Sequence, residues 1–473
     1  MTLPAASGDS VAATLGVLGS MLELDAATME RVDAALAGVP RMAYSVPHVY
    51  PSAAPAYLLA PLVQRPPLIG DQLRLYVHIP FCRYHCTFCH YAVRAGAGTE
   101  LMKRYVRALE RELEWVEPGT PLSQLFVGGG TPTALSPELL DAVLTAIFTR
   151  TVAYGHNVHV VETSPETISP SHIEVLQRHG IGRMSLGVQS LDDGVLGAVH
   201  REQTGAEALA ACELLVDAGF IVNVDLIYGL PRQTPKMLLD DIRAVAERGV
   251  HSLTLYSLRV NERTPVIRTL GAEERLDLPR LMHWRAFITR HAEELGFTQT
   301  RWHTFKRLDT IARMHERLPC FDQRMLGYQL GVGMSARSHL GRVIYRNHEQ
   351  LAVYLDRVER RRSPVEQVFP LGEDDLRTQF IARTIGDGQA VVRSAYASTF
   401  GSTIDDDFGD VLARLTAAAL IEDRGETLVL SPLGKLVYDV VTLAFYPKRA
   451  QAWLAARTAR PDLLQSEVTA EAS

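Results

Sequence analysis

Short apolar runs alternate with amphipathic stretches through the middle of the chain. The apolar runs are typical of strands and cover residues 73–78, 124–127, 158–162, 183–186, 221–226 and 252–256. Helical patterns separate them, for example at residues 105–115, 137–149 and 206–218. Such alternation implies a parallel sheet with right-handed crossovers. The pattern therefore predicts an α/β fold, a partial (β/α)6 barrel whose functional groups lie at the carboxyl ends of its strands.

Other patterns flank this alternation. Residues 1–70 hold a short apolar helix pattern and a proline-rich approach, which together indicate an N-terminal extension. Residues 71–300 form the predicted barrel, and residues 301–370 complete it or link it to the C-terminal region. Residues 371–473 change to helices with a short hairpin around Gly425, which predicts a mostly helical, winged-helix-like C-terminal domain.

Composition and charge narrow the functional classes. Apolar residues make up 47% of the 473 positions, and the net charge of −6 provides no general attraction for nucleic acid. The first twenty residues lack a basic segment, and no run reaches the ~18 apolar residues of a membrane helix. We therefore expect a cytoplasmic protein without nucleic-acid or membrane partners. Five cysteines, three of them within eight residues, do not resemble a secreted disulfide framework.

Those three cysteines follow the first predicted strand with the spacing C-x3-C-x2-C. They are Cys82, Cys86 and Cys89. Thiolates hold iron–sulfur clusters, and three of them leave one iron of a cubane free to bind an amine and a carboxylate. A zinc site is the alternative, with His85 or His90 as the fourth ligand. The spacing by itself leaves both open.

A glycine-rich segment follows the second predicted strand and reads F-V-G-G-G-T-P-T over residues 126–133. Three residues without Cβ atoms let backbone approach a ligand closely. A tight turn at the end of a barrel strand accounts for the glycines equally well. Its place at a strand end, like that of the cysteines, favours a shared site.

Several motifs occur in order, and together they resemble a known family. After the cysteines and G-G-G-T-P come E-T-S-P at 162–165, G-V-Q-S at 187–190, H-R-E-Q at 200–203 and V-D-L-I-Y-G-L-P-R-Q-T at 224–234. The set resembles the radical S-adenosylmethionine (SAM) family typified by oxygen-independent coproporphyrinogen III dehydrogenase, over about residues 40–450. The resemblance implies a radical SAM barrel, a [4Fe–4S] cluster on the three cysteines, two SAM molecules and a flavodoxin- or ferredoxin-type electron donor.

The resemblance also implies roles for individual residues. Contacts with the first SAM would come from Tyr76, Phe88, Gly129, Gly130, Thr131, Glu162, Gln189, Arg201 and Asp225. Contacts with a second SAM would come from Ser257, Leu258, Gln323 and Arg337. The two acidic side chains suit an ammonium group or ribose hydroxyls, and a guanidinium suits a carboxylate. Taken singly, each polar residue has capping or a salt bridge as its alternative. His303 either faces the substrate or is a structural histidine.

Two features depart from the porphyrinogen dehydrogenase. Tyr91 stands where that enzyme has a further cysteine, and R-M-A-Y-S-V-P-H replaces its R-Y-T-S-Y-P. The departures favour similarity to the class C radical SAM methyltransferases and cyclopropanases of natural-product pathways. The expected reaction is methylation or cyclopropanation of an sp² carbon in an aromatic or heteroaromatic substrate. The 5′-deoxyadenosyl radical from the first SAM would take a hydrogen from the methyl group of the second.

Two alternatives remain open on the same scaffold. One is the anaerobic porphyrinogen dehydrogenase or a related tetrapyrrole enzyme, and the other is a heme chaperone with little SAM turnover. Outside the cysteine motif the chain has only Cys212, in an apolar helical stretch, and Cys320, in a predicted loop. A mechanism that needs two cooperating carrier cysteines is therefore poorly supplied.

Overall fold

A computed structural model describes residues 24–39, 73–155, 158–260, 264–271, 274, 276–313, 326–386 and 388–459. Three features of the sequence lie outside the described residues: Cys320, Gln323 and the R-M-A-Y-S-V-P-H segment at 41–48. Strands and helices are numbered in chain order.

The strands supply the frame of the fold. They are β1 Leu73–Ile79, β2 Phe81–Cys82, β3 Arg94–Ala95, β4 Thr120–Gly129, β5 Thr151–Ala153, β6 Val160–Thr163, β7 Arg183–Gln189, β8 Ile221–Tyr228, β9 Ser252–Ser257, β10 Phe297–Arg301, β11 Thr304–Arg307, β12 Gly327–Val332, β13 Arg337–Gly341, β14 Val343–Asn347, β15 Val365–Pro370, β16 Val391–Val392, β17 Ile421–Asp423 and β18 Thr427–Leu430. Each of the six predicted strands is present, and most extend a few residues further.

The helices alternate with these strands and then dominate the C-terminal region. They are α1 Ala26–Ala35, α2 Thr99–Leu113, α3 Pro137–Phe148, α4 Pro170–Arg178, α5 Asp193–Ala198, α6 Gly205–Asp217, α7 Pro235–Glu247, α8 Leu278–Glu294, α9 Leu308–Arg313, α10 Leu351–Glu359, α11 Glu373–Gly386, α12 Arg393–Phe400, α13 Ile404–Ala417, α14 Pro432–Leu436, α15 Tyr438–Ala444 and α16 Lys448–Ala459. No described helix is long and apolar enough to cross a membrane.

Hydroxyl and proline residues fix where several barrel helices begin. Ser136 accepts a hydrogen bond from the backbone N–H of Leu139 at the start of α3, and Pro137 occupies the first turn. Ser169 and Pro170 do the same for α4. The capping hydroxyl accepts an N–H that the first turn leaves without a partner, and proline has no N–H to lose. The two caps therefore define the first turns of α3 and α4.

The predicted strands form one parallel block inside a larger mixed sheet. The spatial order is β10-β11-β9-β8-β7-β6-β4-β1-β12-β13-β14-β15, with β5 added beside β4. Strands β1, β4, β6, β7, β8 and β9 are parallel neighbours in chain order. Antiparallel strands extend both edges, which the repeat pattern did not predict. The α/β fold with an open barrel is confirmed, and its sheet is mixed.

Alternation along β8 separates the site from the core. Asp225 and Ile227 face the large cavity at the carboxyl ends of the parallel strands. Val224 and Leu226 point the other way and are fully buried, so they pack against the covering helices. Helices cover the outer face of the parallel strands, so the side chains on that face are apolar. The polar side chains of the site lie on the inner face, toward the cavity.

The C-terminal region docks against the barrel through a buried ion pair. Arg285 on α8 donates to both carboxylate oxygens of Asp439, at 3.0 and 2.8 Å, and to the carbonyl of Leu436 at 2.7 Å. Strands β17 and β18 form the predicted hairpin around Gly425. The helical C-terminal region is thus confirmed, while the bounds of the four predicted domains remain predictions.

A buried carboxylate joins α2 to the strands beyond β1. Glu112 is fully buried and accepts hydrogen bonds from the backbone N–H of Gly333 at 2.8 Å, from Asn347 at 2.8 Å and from the hydroxyl of Tyr354 at 2.7 Å. These donors come from the end of β12, from β14 and from α10. One side chain therefore holds three elements against the barrel helix.

We predict that Glu112→Gln lowers the free energy of unfolding by about 2 kcal/mol or more. The amide keeps one acceptor oxygen but turns an NH2 group toward donors, which leaves a buried donor without a partner. Glu100→Gln on the same helix is the matched control, because Glu100 is exposed and pairs only with Lys103. Equal denaturation midpoints for the two variants in urea would contradict the role assigned to Glu112.

Candidate active site

A cavity of about 490 Å³ lies at the carboxyl ends of the parallel strands. Most of the predicted site residues line it: Tyr76, Cys82, Cys86, Phe88, Cys89, Gly129, Gly130, Thr131, Glu162, Gln189, Arg201, Asp225, Ser257 and Leu258. Arg337 does not. It is exposed on β13, which is separated from β1 by β12, and its place beside a second SAM remains a prediction. Gln323 lies outside the described residues.

The three predicted ligand thiols lie at one end of this cavity. Cys82 ends the short strand β2, and Cys86 and Cys89 follow in the next loop, where the N–H of Cys89 bonds the carbonyl of Cys86 at 3.1 Å. The hydroxyl of Thr131 lies 3.8 Å from the sulfur of Cys82, and a guanidinium nitrogen of Arg201 lies 3.6 Å from that of Cys86. None of the three is in a disulfide.

Burial makes these thiols poor acids by themselves. It raises the pKa of Cys82 to about 12 and that of Cys89 to about 11, and it also raises the pKa of Cys86. The positive charge of Arg201 lowers all three in part. A bound metal deprotonates coordinating thiols, so three sheltered thiols beside one cation suit an iron–sulfur cluster.

No three His, Cys, Asp or Glu side chains among the described residues surround a position for a single metal ion. A cubane does not require this, because each thiolate binds a separate iron atom. Cys212 is fully buried in α6, away from this end of the cavity, as the apolar pattern predicts.

Neighbouring protein atoms leave no room for Cβ atoms in the glycine segment. A Cβ on Gly128 would lie 2.4 Å from a carboxylate oxygen of Glu162, and one on Gly129 would lie 2.4 Å from the ring of His78. A Cβ on Gly130 would lie 2.7 Å from the carbonyl oxygen of Phe81. The backbone N–H groups of residues 130 and 131 bond the carbonyls of residues 79 and 81 at 2.8 and 2.7 Å. The glycines therefore press the end of β4 against the segment that carries Cys82.

Two buried carboxylates, Glu162 and Asp225, also line the cavity. Burial and the neighbouring Asp225 raise the pKa of Glu162 to about 7, although the backbone N–H of Gly129 donates to it at 2.9 Å. Burial raises the pKa of Asp225 to about 6, against hydrogen bonds from Ser185 and Asn223. This buried acidic pair has room for a cation or for hydroxyl donors, as an ammonium group or a ribose would provide.

A short hydrogen-bond chain fixes the aromatic wall beside this pair. Burial lowers the pKa of His78 to about 4, so its ring is neutral. Its Nε2 lies 3.1 Å from the carbonyl of Ala92 and therefore carries the proton. Its Nδ1 then accepts from the hydroxyl of Tyr76 at 3.0 Å. Tyr76 is held with its ring against that of Phe126, 6.0 Å away.

Arg201 is already bonded to protein at both terminal nitrogens. One donates to Cys86, and the other donates to the hydroxyl of Ser164 at 3.0 Å and, more closely, to the carbonyl of Gly187. Its Nε is buried without a hydrogen-bond partner among the described residues. The structure thus places Arg201 beside a thiol, and its pairing with a SAM carboxylate remains a prediction.

Motif reasoning missed several residues that line the cavity. Ile227, Tyr256 and Arg259 line it, and Tyr91, singled out only as a departure, does so too. The two-residue period of the strands could have found the first two, because Ile227 shares a face with Asp225 and Tyr256 lies in the neighbouring strand.

His303 lies behind Tyr256 and is not among the residues that line the cavity. Its ring stacks on Tyr256 with centroids 5.3 Å apart, and its Nδ1 is buried without a hydrogen-bond partner among the described residues. Burial, helped by the charges of Arg259 and Arg301, lowers the pKa of His303 to about 3. The neutral ring supports Tyr256.

Comparisons with known proteins agree on one superfamily. Residues 76–245 match the Radical SAM superfamily. An oxygen-independent coproporphyrinogen III oxidase from Synechocystis is 26% identical over 400 residues, which cover 79% of this chain and 84% of that protein. Heme chaperone HemW from Bacillus subtilis is also 26% identical, and the alignment covers 78% of this chain and 98% of the chaperone.

A solved structure extends the similarity beyond the barrel. The coproporphyrinogen III oxidase (HemN) from Escherichia coli, described as a radical SAM enzyme, has a TM-score of 0.68 and 25% identity. The superposition covers 84% of this chain and 92% of that one. The predicted fold is confirmed. The superfamily matched by residues 76–245 is the predicted one and implies a [4Fe–4S] cluster and SAM, while the second SAM remains a prediction.

The predicted methyltransferase or cyclopropanase activity is wrong. The relatives that align over most of the chain are named coproporphyrinogen III oxidases or heme chaperones. The prediction rested on Tyr91 and on the N-terminal segment, two local departures. Similarity that extends through the barrel and the C-terminal region outweighs them.

We predict that Gly130→Ala lowers the iron content after anaerobic reconstitution. Its Cβ would meet backbone at Phe81 and Pro80, which has no flexible end to move aside, and such overpacking costs about 1–3 kcal/mol. Gly98→Ala is the matched control, because a Cβ there meets nothing within 4 Å. Equal iron in both variants would show that the glycine contact does not position Cys82.

We predict that Glu162→Gln flattens the pH dependence of stability in protein without SAM. The folded-state pKa of about 7 lies above the ordinary value of 4.5, so stability present at low pH is lost as the pH rises from about 4.5 through 7. The loss is on the order of 2 kcal/mol, and glutamine removes it while still accepting from Gly129. Unfolding at pH 5 and pH 8 measures it, and parallel curves for wild type and variant would refute the buried charge.

Proposed function

We propose that this chain, a member of the radical SAM superfamily, acts on a tetrapyrrole, as an anaerobic coproporphyrinogen III oxidase or a close relative of one. The observation that supports it most is the similarity to the Escherichia coli enzyme, which covers 92% of that chain and therefore includes the region beyond the barrel. Barrel similarity alone would leave the substrate open, because the fold hosts many reactions.

The residues of the cavity have two roles in the proposed reaction: some hold the cluster, and others bind SAM. The cluster and SAM, when bound, supply a 5′-deoxyadenosyl radical that removes a hydrogen atom from a substrate carbon. Cys82, Cys86 and Cys89 hold the cluster, and Arg201 offsets the negative charge gathered on their sulfurs. Glu162 and Asp225 bind polar groups of SAM, with Tyr76 and Phe88 against its apolar parts.

The outer end of the cavity suits a large ring system that carries carboxylates. Tyr91 and Tyr256 are 60% and 38% exposed there, so both can meet the face or edge of a pyrrole ring. Ser257 and Leu258 line the cavity as well. Because these two residues are expected to contact a second SAM, we include a second SAM among the proposed ligands. A flavodoxin- or ferredoxin-type protein is the expected source of electrons.

A heme chaperone is the second candidate, because the alignment with HemW covers 98% of that protein. Tyr91 is compatible with it, since this position differs from the cysteine expected of the oxidase. The two candidates share the scaffold and differ in turnover. The oxidase would consume SAM and change its substrate, and the chaperone would bind heme with little consumption of SAM.

We predict that the reconstituted protein converts coproporphyrinogen III to protoporphyrinogen IX under anaerobic conditions with SAM, a reductant and an electron acceptor. Carbon dioxide and 5′-deoxyadenosine should accumulate with the product, and Cys86→Ala should abolish all three, because it removes a cluster ligand. Chromatography of the oxidised porphyrins and of the nucleoside measures both sides of the reaction.

Cys212→Ala is the matched control for this experiment. It removes a buried thiol outside the cavity and should leave product formation in place. Tight heme binding with neither decarboxylated product nor 5′-deoxyadenosine would replace the oxidase by the chaperone. Absence of binding and turnover with every tetrapyrrole would end the proposal.

A further inference from the structure

Two arginines, Arg201 and Arg259, line the cavity. Arg201 lies beside the thiols, with a guanidinium nitrogen 3.6 Å from the sulfur of Cys86. Arg259 follows Ser257 and Leu258 after β9, and Tyr91 and Tyr256 line the same cavity.

The two arginines differ in what they bind. Arg201 donates to Cys86, Ser164 and Gly187. Among the residues that the structure describes, no carboxylate forms an ion pair with Arg259, which is half-buried at the cavity wall.

A half-buried guanidinium that has no carboxylate partner among the described residues is a candidate for binding an anionic group of a ligand. Desolvation makes a charge costly unless an opposite charge or hydrogen-bond acceptors compensate it. Guanidinium binds a carboxylate through two parallel hydrogen bonds, which makes it the side chain best suited to this anion. The aromatic rings of Tyr91 and Tyr256 line the same cavity, so the anion would belong to a ligand with a flat apolar body.

We propose that Arg259 binds a carboxylate of the substrate and thereby sets the orientation of the substrate in the cavity. The proposal rests on the function proposed above, in which that carboxylate belongs to a propionate side chain of a tetrapyrrole. Tyr91 and Tyr256 hold the ring that carries the propionate. Arg259 is then a binding and specificity residue, and it takes no part in the chemistry at the thiol end.

The carboxylate of a second SAM is the competing source of the same anion. Ser257 and Leu258, expected beside that SAM, immediately precede Arg259. The first SAM is expected to bind beside the thiols. The substrate and the second SAM therefore compete only for the part of the cavity that contains Arg259. Separate titrations with the tetrapyrrole and with SAM distinguish the two sources.

The test measures binding of coproporphyrin III and of its tetramethyl ester to the anaerobically reconstituted protein in the presence of SAM. Absorbance or fluorescence of the porphyrin reports binding without any turnover. The variants are Arg259→Gln, which removes the charge, and Arg259→Lys, which keeps the charge but not the paired donors. Arg268→Gln, an exposed arginine nine positions along the chain, is the control. Iron content verifies that each variant is folded and loaded.

We expect the wild type to bind the free acid more tightly than the ester. Arg259→Gln should weaken binding of the acid by about tenfold or more and should leave binding of the ester nearly unchanged. Arg259→Lys should be intermediate, and Arg268→Gln should match the wild type. Affinity for SAM should not change in any of them.

Other outcomes overturn the proposal in distinguishable ways. Unchanged affinity of Arg259→Gln for the acid would remove Arg259 from the substrate site while leaving the tetrapyrrole function in place. A loss of SAM affinity with intact porphyrin binding would assign Arg259 to the second SAM. Failure of the wild type to bind either porphyrin would overturn the proposed function itself, and this proposal with it.

Discussion

The contact between the glycine turn that ends β4 and the backbone that follows β1 is the constraint on which the site depends. Three residues without side chains let two strand ends meet at backbone distance, with Gly130 against the carbonyl of Phe81. That contact fixes Cys82 and carries Thr131 to its sulfur. It also brings the N–H of Gly129 to Glu162. One close approach therefore aligns the thiol end of the cavity with the acidic pair.

Burial then gives each end of the cavity its own electrostatic character. Thiols and carboxylates that are withdrawn from water resist ionisation, so each set is completed by a ligand of opposite charge. The thiols face Arg201, whose hydrogen bonds are made within the protein. The carboxylates of Glu162 and Asp225 suit a cation or hydroxyl donors, and the guanidinium of Arg259 suits an anion. The cavity thus combines buried thiols beside Arg201, a buried acidic pair and a second arginine, Arg259.

The sequence predicted the parallel strands and the cysteine triad because both are local signals. Strand periodicity and C-x3-C-x2-C spacing need no knowledge of distant contacts. The antiparallel strands at both edges were missed, since long-range pairing sets their place and a repeat pattern cannot express it. The sequence left both a ligand contact and a tight turn open for the glycines, and the side chains of Glu162 and His78 beside them supply a reason within the protein. The reaction was misjudged because Tyr91, one local departure, was given more weight than similarity along the whole chain.

In the proposed reaction a substrate carbon, and not a methyl group of SAM, lies next to the radical. Coproporphyrinogen III deuterated in its propionate side chains tests this most directly, in a single anaerobic turnover with unlabelled SAM. We expect 5′-deoxyadenosine to gain one deuterium from the porphyrinogen as carbon dioxide is released. Unlabelled 5′-deoxyadenosine formed together with product would contradict the proposed reaction, because the hydrogen would then have come from elsewhere.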